Sequence, residues 1–292
     1  FFDFNAYISK KNQMMNRALI DIEQVQNFIK EQADRVIILD ASIDKVGQKL
    51  DNNLELIPNS HFIDIENAFS DKAINLPHTM VDASTFENEA RKLGINEDSI
   101  VLLYDRWGVY SSPRAWWMFK YMDFDQVYVI NGGLPAWKSA DLPTVDSYAA
   151  MEQTGNFIAK PNSEWIIKID ELKELVGEAD VHITDARSAG RFSGAAPEPR
   201  PGLKSGHIPG SKNIPFDHVL DGAYFRSNEQ IAPLYADKSF SSGQNIFTCG
   251  SGITASVLAL GAYELGYPHI RVYDGSWSEW GSDPDTIVDQ NI

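Results

Sequence analysis

Cysteine is nearly absent from this chain. Among its 292 residues there is a single one, Cys249. A lone cysteine cannot form an internal disulfide, and it cannot supply the several thiolates of a multi-cysteine metal site. Proteins without disulfides are typical of reducing compartments, so this composition predicts a cytoplasmic protein. The residues around the one thiol must decide whether it is structural or reactive.

Basic residues are also scarce. The chain has 25 Lys and Arg against 41 Asp and Glu, a formal net charge of −16. Nucleic-acid backbones and anionic membrane surfaces both attract clustered Lys and Arg. No apolar run approaches the ~20 residues that a membrane-spanning helix needs. The first residues also lack the basic-then-apolar pattern of a secretory signal. We therefore expect no nucleic-acid partner and no membrane partner.

The chain does contain an internal repeat. Three pairs of apolar runs recur in the same order at a spacing of 143 to 145 residues. The pairs are residues 36–41 and 181–186, 101–105 and 245–249, and 127–137 and 270–280. A period of this length indicates a duplicated domain, because solenoid repeats are only 20–45 residues long.

Each half alternates short β-branched runs with helical patterns. Near-continuous apolar strands of this kind are typical of parallel sheets covered on both faces. The sequence therefore predicts an α/β fold in which each domain is a parallel β-sheet flanked by helices. We expect an N-terminal domain at 15–140, a linker at 141–163 and a C-terminal domain at 164–290.

The cysteine lies where a strand gives way to a helix. Residues 246–255 read IFTCGSGITA, so an apolar strand ends at Cys249 and two glycines precede a helical pattern. Such a loop lies at the carboxyl end of a parallel sheet, where ligands bind. Backbone N–H groups and the helix N-terminus would stabilise a thiolate there. We expect Thr254 to cap the helix. The pattern favours a reactive nucleophile at Cys249 over a buried structural thiol.

The cysteine loop resembles that of 3-mercaptopyruvate sulfurtransferases, which belong to the rhodanese superfamily. The other segments that carry this resemblance are 113–117 (PRAWW), 131–137 (NGGLPAW), 185–187 (DAR), 197–202 (PEPRPG) and 205–210 (SGHIPG). The resemblance implies tandem rhodanese-like domains, of which the C-terminal one is catalytic. Asp105 stands where the first domain would need its cysteine, which implies that this domain is inactive.

The resemblance also implies the residues that bind the sulfur donor. Arg191 and Arg200 match the positions that hold the substrate carboxylate, and guanidinium groups suit a carboxylate geometrically. The loop itself completes the substrate-binding set, with Gly250, Gly252, Ile253 and Thr254. Thiosulfate sulfurtransferases usually have an Arg-Lys pair after the cysteine. Here Gly250 and Ser251 occupy those positions, which favours 3-mercaptopyruvate as donor over the dianion thiosulfate.

Three further residues are candidates for proton transfer. In the family, a loop serine, a histidine and an acid from the first domain have been proposed as a relay. The matching residues here are Ser251, His78 and Glu66, with Asp64 as the alternative acid. His207 belongs to the 205–210 segment, and a packing role is the better interpretation for it. Arg187 directly follows a strand, and we expect it to form a structural ion pair.

The implied reaction is a two-step sulfur transfer through a persulfide on Cys249, with release of pyruvate. It requires no metal and no organic cofactor. The expected partners are 3-mercaptopyruvate as donor and a small thiol, cyanide or a thioredoxin-like protein as acceptor. Two alternatives stay open at this point. One is a thiosulfate sulfurtransferase, and the other is a sulfur-carrier or sensor module without turnover.

Overall fold

The computed structural model describes residues 17–151, 153–236 and 243–290. The expected start of the first domain, at residue 15, lies outside these ranges. The first half begins with β1 (Leu19–Ile20), α1 (Ile22–Glu31), β2 (Val36–Asp40) and β3 (Ser60–Phe62). It continues with α2 (Ala83–Lys92), β4 (Ile100–Tyr104), α3 (Ser112–Tyr121), β5 (Val127–Ile130) and α4 (Gly133–Ser139).

The second half has the same plan with additional short elements. Its regular strands and helices begin with β6 (Ile166–Ile167), α5 (Ile169–Leu175), β7 (Val181–Asp185), α6 (Ala189–Ser193) and β8 (Lys212–Asn213). A small hairpin, β9 (Leu220–Asp221) and β10 (Tyr224–Phe225), and α7 (Asn228–Ile231) follow. The half ends with β11 (Gln244–Thr248), α8 (Ile253–Glu264), β12 (Ile270–Tyr273) and α9 (Ser276–Trp280). Single 3-10 turns lie at Ser163–Trp165, Phe216–Val219 and Ala232–Tyr235.

The two halves contain matching five-stranded sheets. The strand orders are β1-β5-β4-β2-β3 and β6-β12-β11-β7-β8, and neighbouring strands are parallel throughout both. The same order in both sheets, with helices between the strands, confirms the predicted α/β fold. In the second sheet the chain leaves β7 towards β8 and leaves β11 towards β12. The carboxyl ends of β7 and β11 therefore form a topological switch point, where open α/β sheets bind their ligands.

The halves meet through two helices, α3 and α8. Every residue of α3 from Ser112 to Lys120 is buried. Nine of the twelve residues of α8 are buried, and its sequence is apolar on all sides. A helix that is apolar all round must be covered all round, and α8 packs between its own sheet and α3. The two domains consequently share one continuous hydrophobic core.

Polar contacts also join the two domains. The buried Arg114 on α3 donates to Asp274 after β12 at 2.7 Å. Glu264, at the end of α8, accepts backbone hydrogen bonds from Ala18 and Leu19 at the start of β1. Burial raises the pKa of the Glu264 carboxyl, and these two hydrogen bonds oppose that rise. Within the described ranges, no helix is long and apolar enough to cross a membrane.

Candidate active site

Cys249 follows the central strand β11 at the switch point of the second sheet. It is 2% exposed. Its backbone carbonyl accepts a hydrogen bond from the Trp277 amide at 2.9 Å, and the Gly250 carbonyl accepts from Ser278 N–H at 3.0 Å and Oγ at 2.6 Å. The start of α9 therefore holds the cysteine loop in place through the loop's carbonyl groups, while Cys249, Gly250 and Ser251 line the cleft.

The two loop glycines allow close approach by two arginines. A Cβ on Gly250 would lie 3.1 Å from Nη2 of Arg191, and one on Gly252 would lie 2.7 Å from Nη1 of Arg114. Gly252 is also the N-cap of α8 with φ +84°, a left-handed conformation that favours glycine. The expectation that Thr254 caps this helix is wrong, because the helix begins at Ile253 and Thr254 already lies in its first turn.

The corresponding position in the first domain holds a carboxylate. Oδ2 of Asp105 accepts hydrogen bonds from the amides of Tyr110, Ser111 and Ser112 at 2.8 to 3.0 Å, and from the Ser112 hydroxyl at 2.8 Å. Its Oδ1 accepts from the Trp107 amide at 3.0 Å. This loop surrounds a buried negative charge with converging N–H donors. A thiolate or persulfide in the second domain would need the same kind of environment.

Arg187 is held in a buried network, as expected from its position after β7. Its guanidinium donates to Asp185 at 2.6 and 2.9 Å, to Glu198 at 2.8 Å and to the Gly206 carbonyl at 2.8 Å. It also lies over the Trp277 ring, 4.1 Å from the centroid. All of its nitrogens are engaged, so its role is to hold the 198–206 segment against the strand end. The predicted packing role of His207 is also seen, since its ring stacks on Phe192 at 3.8 Å.

Arg191 and Arg200 are less completely paired. Arg191 contacts Glu198 through Nε and Nη2, and its side chain is 20% exposed. Arg200 is half-buried and donates a long hydrogen bond to the Ser278 hydroxyl, at 3.4 Å. In the part of the chain that the structure describes, no carboxylate lies within ion-pair distance of Arg200. Both side chains line the cleft that contains Cys249, so they can offer guanidinium N–H groups to an anion there.

The structure places the side chain of His78 between those of Ser251 and Glu66, so that the three form a row. His78 Nδ1 lies 3.0 Å from Ser251 Oγ, and its Nε2 lies 3.6 Å from Glu66 Oε1. The alternative acid, Asp64, instead accepts hydrogen bonds from its own turn, at the amides of Glu66 and Asn67. The geometry therefore favours Glu66 over Asp64 as the partner of the histidine. The row crosses the domain boundary, because Ser251 comes from the second domain and the other two from the first.

These groups surround a cleft of about 410 Å³ between the domains. Its walls carry residues from both halves of the chain. They include Ile43, Lys45, Glu66, His78 and Tyr110 from the first domain, and Arg191, Arg200, Phe216, Cys249, Gly250, Ser251, Ile253 and Thr254 from the second. Gly252 lies beneath this surface, against Arg114. Among the described residues, no group of three or more His, Cys, Asp or Glu side chains is placed to hold a metal ion.

Both halves of the chain match one protein-family model. The model of the rhodanese-like domain matches residues 8–140 and again residues 168–283. The chain belongs to the rhodanese family. A duplicated match agrees with the two equivalent sheets.

Individual relatives of this chain are found among bacteria and animals. The chain is 35% identical to the 3-mercaptopyruvate sulfurtransferase of Escherichia coli K12 over 86% of its length and 91% of that protein. It is also 35% identical to the human 3-mercaptopyruvate sulfurtransferase, over 90% and 92% of the two chains. The crystal structure of SseA from Escherichia coli, described as a 3-mercaptopyruvate sulfotransferase, superposes with a TM-score of 0.79 and 30% identity. It covers 89% of this chain and 99% of that one.

Sequence reasoning missed several residues of the cleft, among them Lys45 and Tyr110. Burial and the nearby charges of Cys249, Asp105 and Glu66 raise the pKa of Tyr110 to about 12, while Arg191 opposes the rise. The Tyr110 hydroxyl is therefore neutral at physiological pH. Its position in the loop after β4, beside a carboxylate at the expected cysteine position, was a signal that could have identified it. No local pattern marks Lys45.

Proposed function

We propose that the protein moves sulfur from 3-mercaptopyruvate to a thiol or cyanide acceptor through a persulfide on Cys249, and releases pyruvate. The observation that carries this proposal is the lone thiol at the switch point of a rhodanese fold, in a cleft with two incompletely paired arginines. Strong likeness to 3-mercaptopyruvate sulfurtransferases over most of the chain supports the choice of donor.

The first half-reaction loads the cysteine. Arg191 and Arg200 bind the donor's carboxylate, while Gly250, Ile253 and Thr254 shape the loop against its sulfur. The Cys249 thiolate attacks this sulfur and forms an S–S bond. The C–S bond breaks, and its electron pair leaves with the three-carbon fragment as the enolate of pyruvate. A proton then converts the enolate to pyruvate, and the persulfide stays on Cys249 near the loop amides.

The proton for the enolate is assigned to the row of Ser251, His78 and Glu66. The serine hydroxyl donates to the enolate carbon and is reprotonated by His78, whose other ring nitrogen faces the Glu66 carboxylate. A histidine suits this step because its charge changes near neutral pH.

The second half-reaction unloads the cysteine. An acceptor thiolate attacks the outer sulfur, the S–S bond breaks, and Cys249 departs as a thiolate ready for another donor. Cyanide in the same role would give thiocyanate. A small thiol and a thioredoxin-like protein are both acceptors of the right chemistry. Because the resting thiol must stay reduced, we also propose the cytoplasmic setting that the single cysteine predicts.

The domain roles follow from the same chemistry. We assign catalysis to residues 164–290 and propose that residues 15–140 form an inactive domain, since a carboxylate at Asp105 cannot become a persulfide. The five contacts that hold this carboxylate support a structural role. The first domain then contributes a wall of the cleft, and residues 141–163 are the linker. Part of this linker packs along the first domain, where Val145 pairs with Leu56.

The donor preference tests the proposed function directly. We expect kcat/KM for 3-mercaptopyruvate to exceed that for thiosulfate by at least roughly tenfold, because Gly250 and Ser251 offer no charge to the thiosulfate dianion. The measurement is the initial rate of pyruvate or sulfite release with one thiol acceptor. A preference for thiosulfate would overturn the interpretation of the loop and keep the nucleophile. A persulfide on Cys249 without turnover of either donor would indicate a sulfur-carrier module.

The proton relay predicts a donor-dependent effect of His78→Asn. Asparagine is chosen because His78 has φ +59°, a left-handed conformation that Asn adopts more readily than most residues. We expect kcat with 3-mercaptopyruvate to fall roughly a hundredfold. The rate with thiosulfate, whose leaving group sulfite needs no proton, should change much less. An equal fall with both donors would show that His78 acts through the loop structure instead.

A further inference from the structure

Lys45 presents a positive charge on the first-domain wall of the cleft. It begins a tight turn, in which its amide donates to the Gln48 carbonyl at 2.9 Å and its carbonyl accepts from the Gln48 amide at 3.0 Å. The ammonium lies over the faces of Trp107 and Tyr110, 4.7 and 4.8 Å from the ring centroids. The backbone of the turn and the two rings thus fix the position of the charge.

Among the described residues, this ammonium forms no ion pair. Within residues 17–151, 153–236 and 243–290, no carboxylate lies within ion-pair distance of the Lys45 Nζ and no acceptor is hydrogen-bonded to it. Its sequence neighbour Asp44 instead accepts a hydrogen bond from the Leu50 amide at 2.9 Å. Partial burial lowers the pKa of Lys45, and the charge of Asp105 opposes this. A partly dehydrated cation with free N–H donors is a site for an anionic group.

Tyr110 connects this cation to the reacting thiol. Its ring contacts the Lys45 ammonium, and its hydroxyl is close enough to Cys249 and Arg191 to be influenced by their charges. The cleft therefore has two cationic sites around one sulfur. Arg191 and Arg200 form the first, on the second domain, and Lys45 forms the other, on the first domain.

We propose that Lys45 binds the carboxylate of an anionic thiol acceptor while its sulfur attacks the persulfide. This inference rests on the proposed function. The donor has a single carboxylate, which the two arginines bind beside the cysteine loop, so the cation on the other domain is left for the second substrate. The acceptor class is a small thiol that carries a carboxylate a few bonds from its sulfur.

Two acceptors of similar thiol chemistry test this proposal. One is 3-mercaptopropionate, which is anionic, and the other is 2-mercaptoethanol, which is neutral. In Lys45→Met, which keeps an unbranched side chain over the two rings, we expect KM for 3-mercaptopropionate to rise roughly fivefold to tenfold. KM for 2-mercaptoethanol and for 3-mercaptopyruvate should stay unchanged. Lys45→Arg retains the charge and should keep KM close to that of the unmodified protein.

Lys49→Met is the matched control, since Lys49 is an exposed lysine of the same segment that lines a different cavity. It should leave all three KM values unchanged. A higher KM for the donor in Lys45→Met would place Lys45 in the donor site and overturn the proposal. An equal change with both thiols would show a structural role and overturn it as well.

The proposal can be separated from the proposed function. Polysulfide can load Cys249 without 3-mercaptopyruvate, and the discharge of this persulfide by each thiol can be followed in a single turnover. If the discharge keeps its dependence on Lys45 while 3-mercaptopyruvate yields no pyruvate, only the proposed donor is wrong. The ratio of the discharge rate with 3-mercaptopropionate to that with 2-mercaptoethanol is compared between the two proteins. If this ratio is the same in Lys45→Met and in the unmodified protein, the proposal about Lys45 is wrong.

Discussion

Cys249→Ser is expected to abolish sulfur transfer, with a fall in kcat of at least about a thousandfold. A hydroxyl oxygen cannot form a persulfide. The sequence contains no second cysteine that could replace Cys249. Cys249 is buried and its loop is held through backbone hydrogen bonds to α9, so the substitution leaves the cleft intact. The measurement is pyruvate release from 3-mercaptopyruvate with an added thiol.

Mass spectrometry provides the second readout for this variant. After addition of donor alone, the unmodified protein should gain the mass of one sulfur atom on the peptide that contains Cys249, and Cys249→Ser should gain none. The thermal unfolding midpoint of the two proteins serves as the control for folding and should be nearly equal. Pyruvate release that persists in the folded variant would reject Cys249 as the nucleophile and with it the two-step reaction.

Arg187→Met should cost the protein much of its stability. The guanidinium is fully buried and neutralises Asp185 and Glu198, both of which are also buried. Removal of one partner from a buried ion pair leaves an uncompensated charge, at a cost of about 3–5 kcal/mol. The effect should be seen as a lower midpoint of chemical denaturation. It should also reduce donor binding, because Glu198 would lose one of the two arginines that hold it.

Lys92→Met is the control for this experiment. Lys92 forms an exposed ion pair with Glu89 one helical turn away, and pairs of this kind contribute little to stability. Its denaturation midpoint should match that of the unmodified protein. If Arg187→Met also matched it, the buried network would contribute nothing to folding, and the interpretation of Arg187 as the support of the 198–206 segment would be wrong.

The arrangement of charges around Glu198 suggests how the two kinds of arginine differ. Arg187 shares Glu198 with Arg191, but the side chain of Arg187 is fully buried, whereas that of Arg191 is 20% exposed. The Glu198 carboxylate therefore orients Arg191 but does not occupy all of its N–H groups. The remaining N–H groups can bind an anionic donor. The net charge of the chain, −16, does not prevent this binding, because positive charge is concentrated locally at the cleft.

Local sequence was sufficient to predict the α/β architecture and to identify Cys249 as the candidate nucleophile. The apolar run before Cys249, the two glycines after it and the helical pattern from Ile253 identify a strand, a tight loop and a helix by their own periodicity. The spacing of the repeat predicted two equivalent domains. The strand that was predicted to end at Cys249 ends at Thr248. The predicted capping role of Thr254 failed because Gly252 occupies the N-cap.

The arrangement across the cleft could not be predicted in the same way. Ser251 and His78 are 173 positions apart and meet at 3.0 Å only because α3 packs on α8. The resemblance proposed their partnership, and the structure decided which acid, Glu66 or Asp64, faces the histidine. Arg114 was quoted only as part of the PRAWW segment, yet it contacts the carbonyl of His78 and the carboxylate of Asp274 from within the domain interface.

The sequence by itself determined the fold class and the duplicated domain and identified Cys249 as the candidate nucleophile, because each depends on short-range patterns of apolar residues, glycines and one cysteine. Only the tertiary structure decided which charges surround that thiol. Within the described residues, Arg187 proved to be saturated by buried carboxylates, and Arg200 proved to have one long hydrogen bond and no ion pair. Lys45 proved to face the same cleft from the other domain. The physical reason is that the pairing of a charged side chain depends on every element packed against it, and here those elements come from both domains.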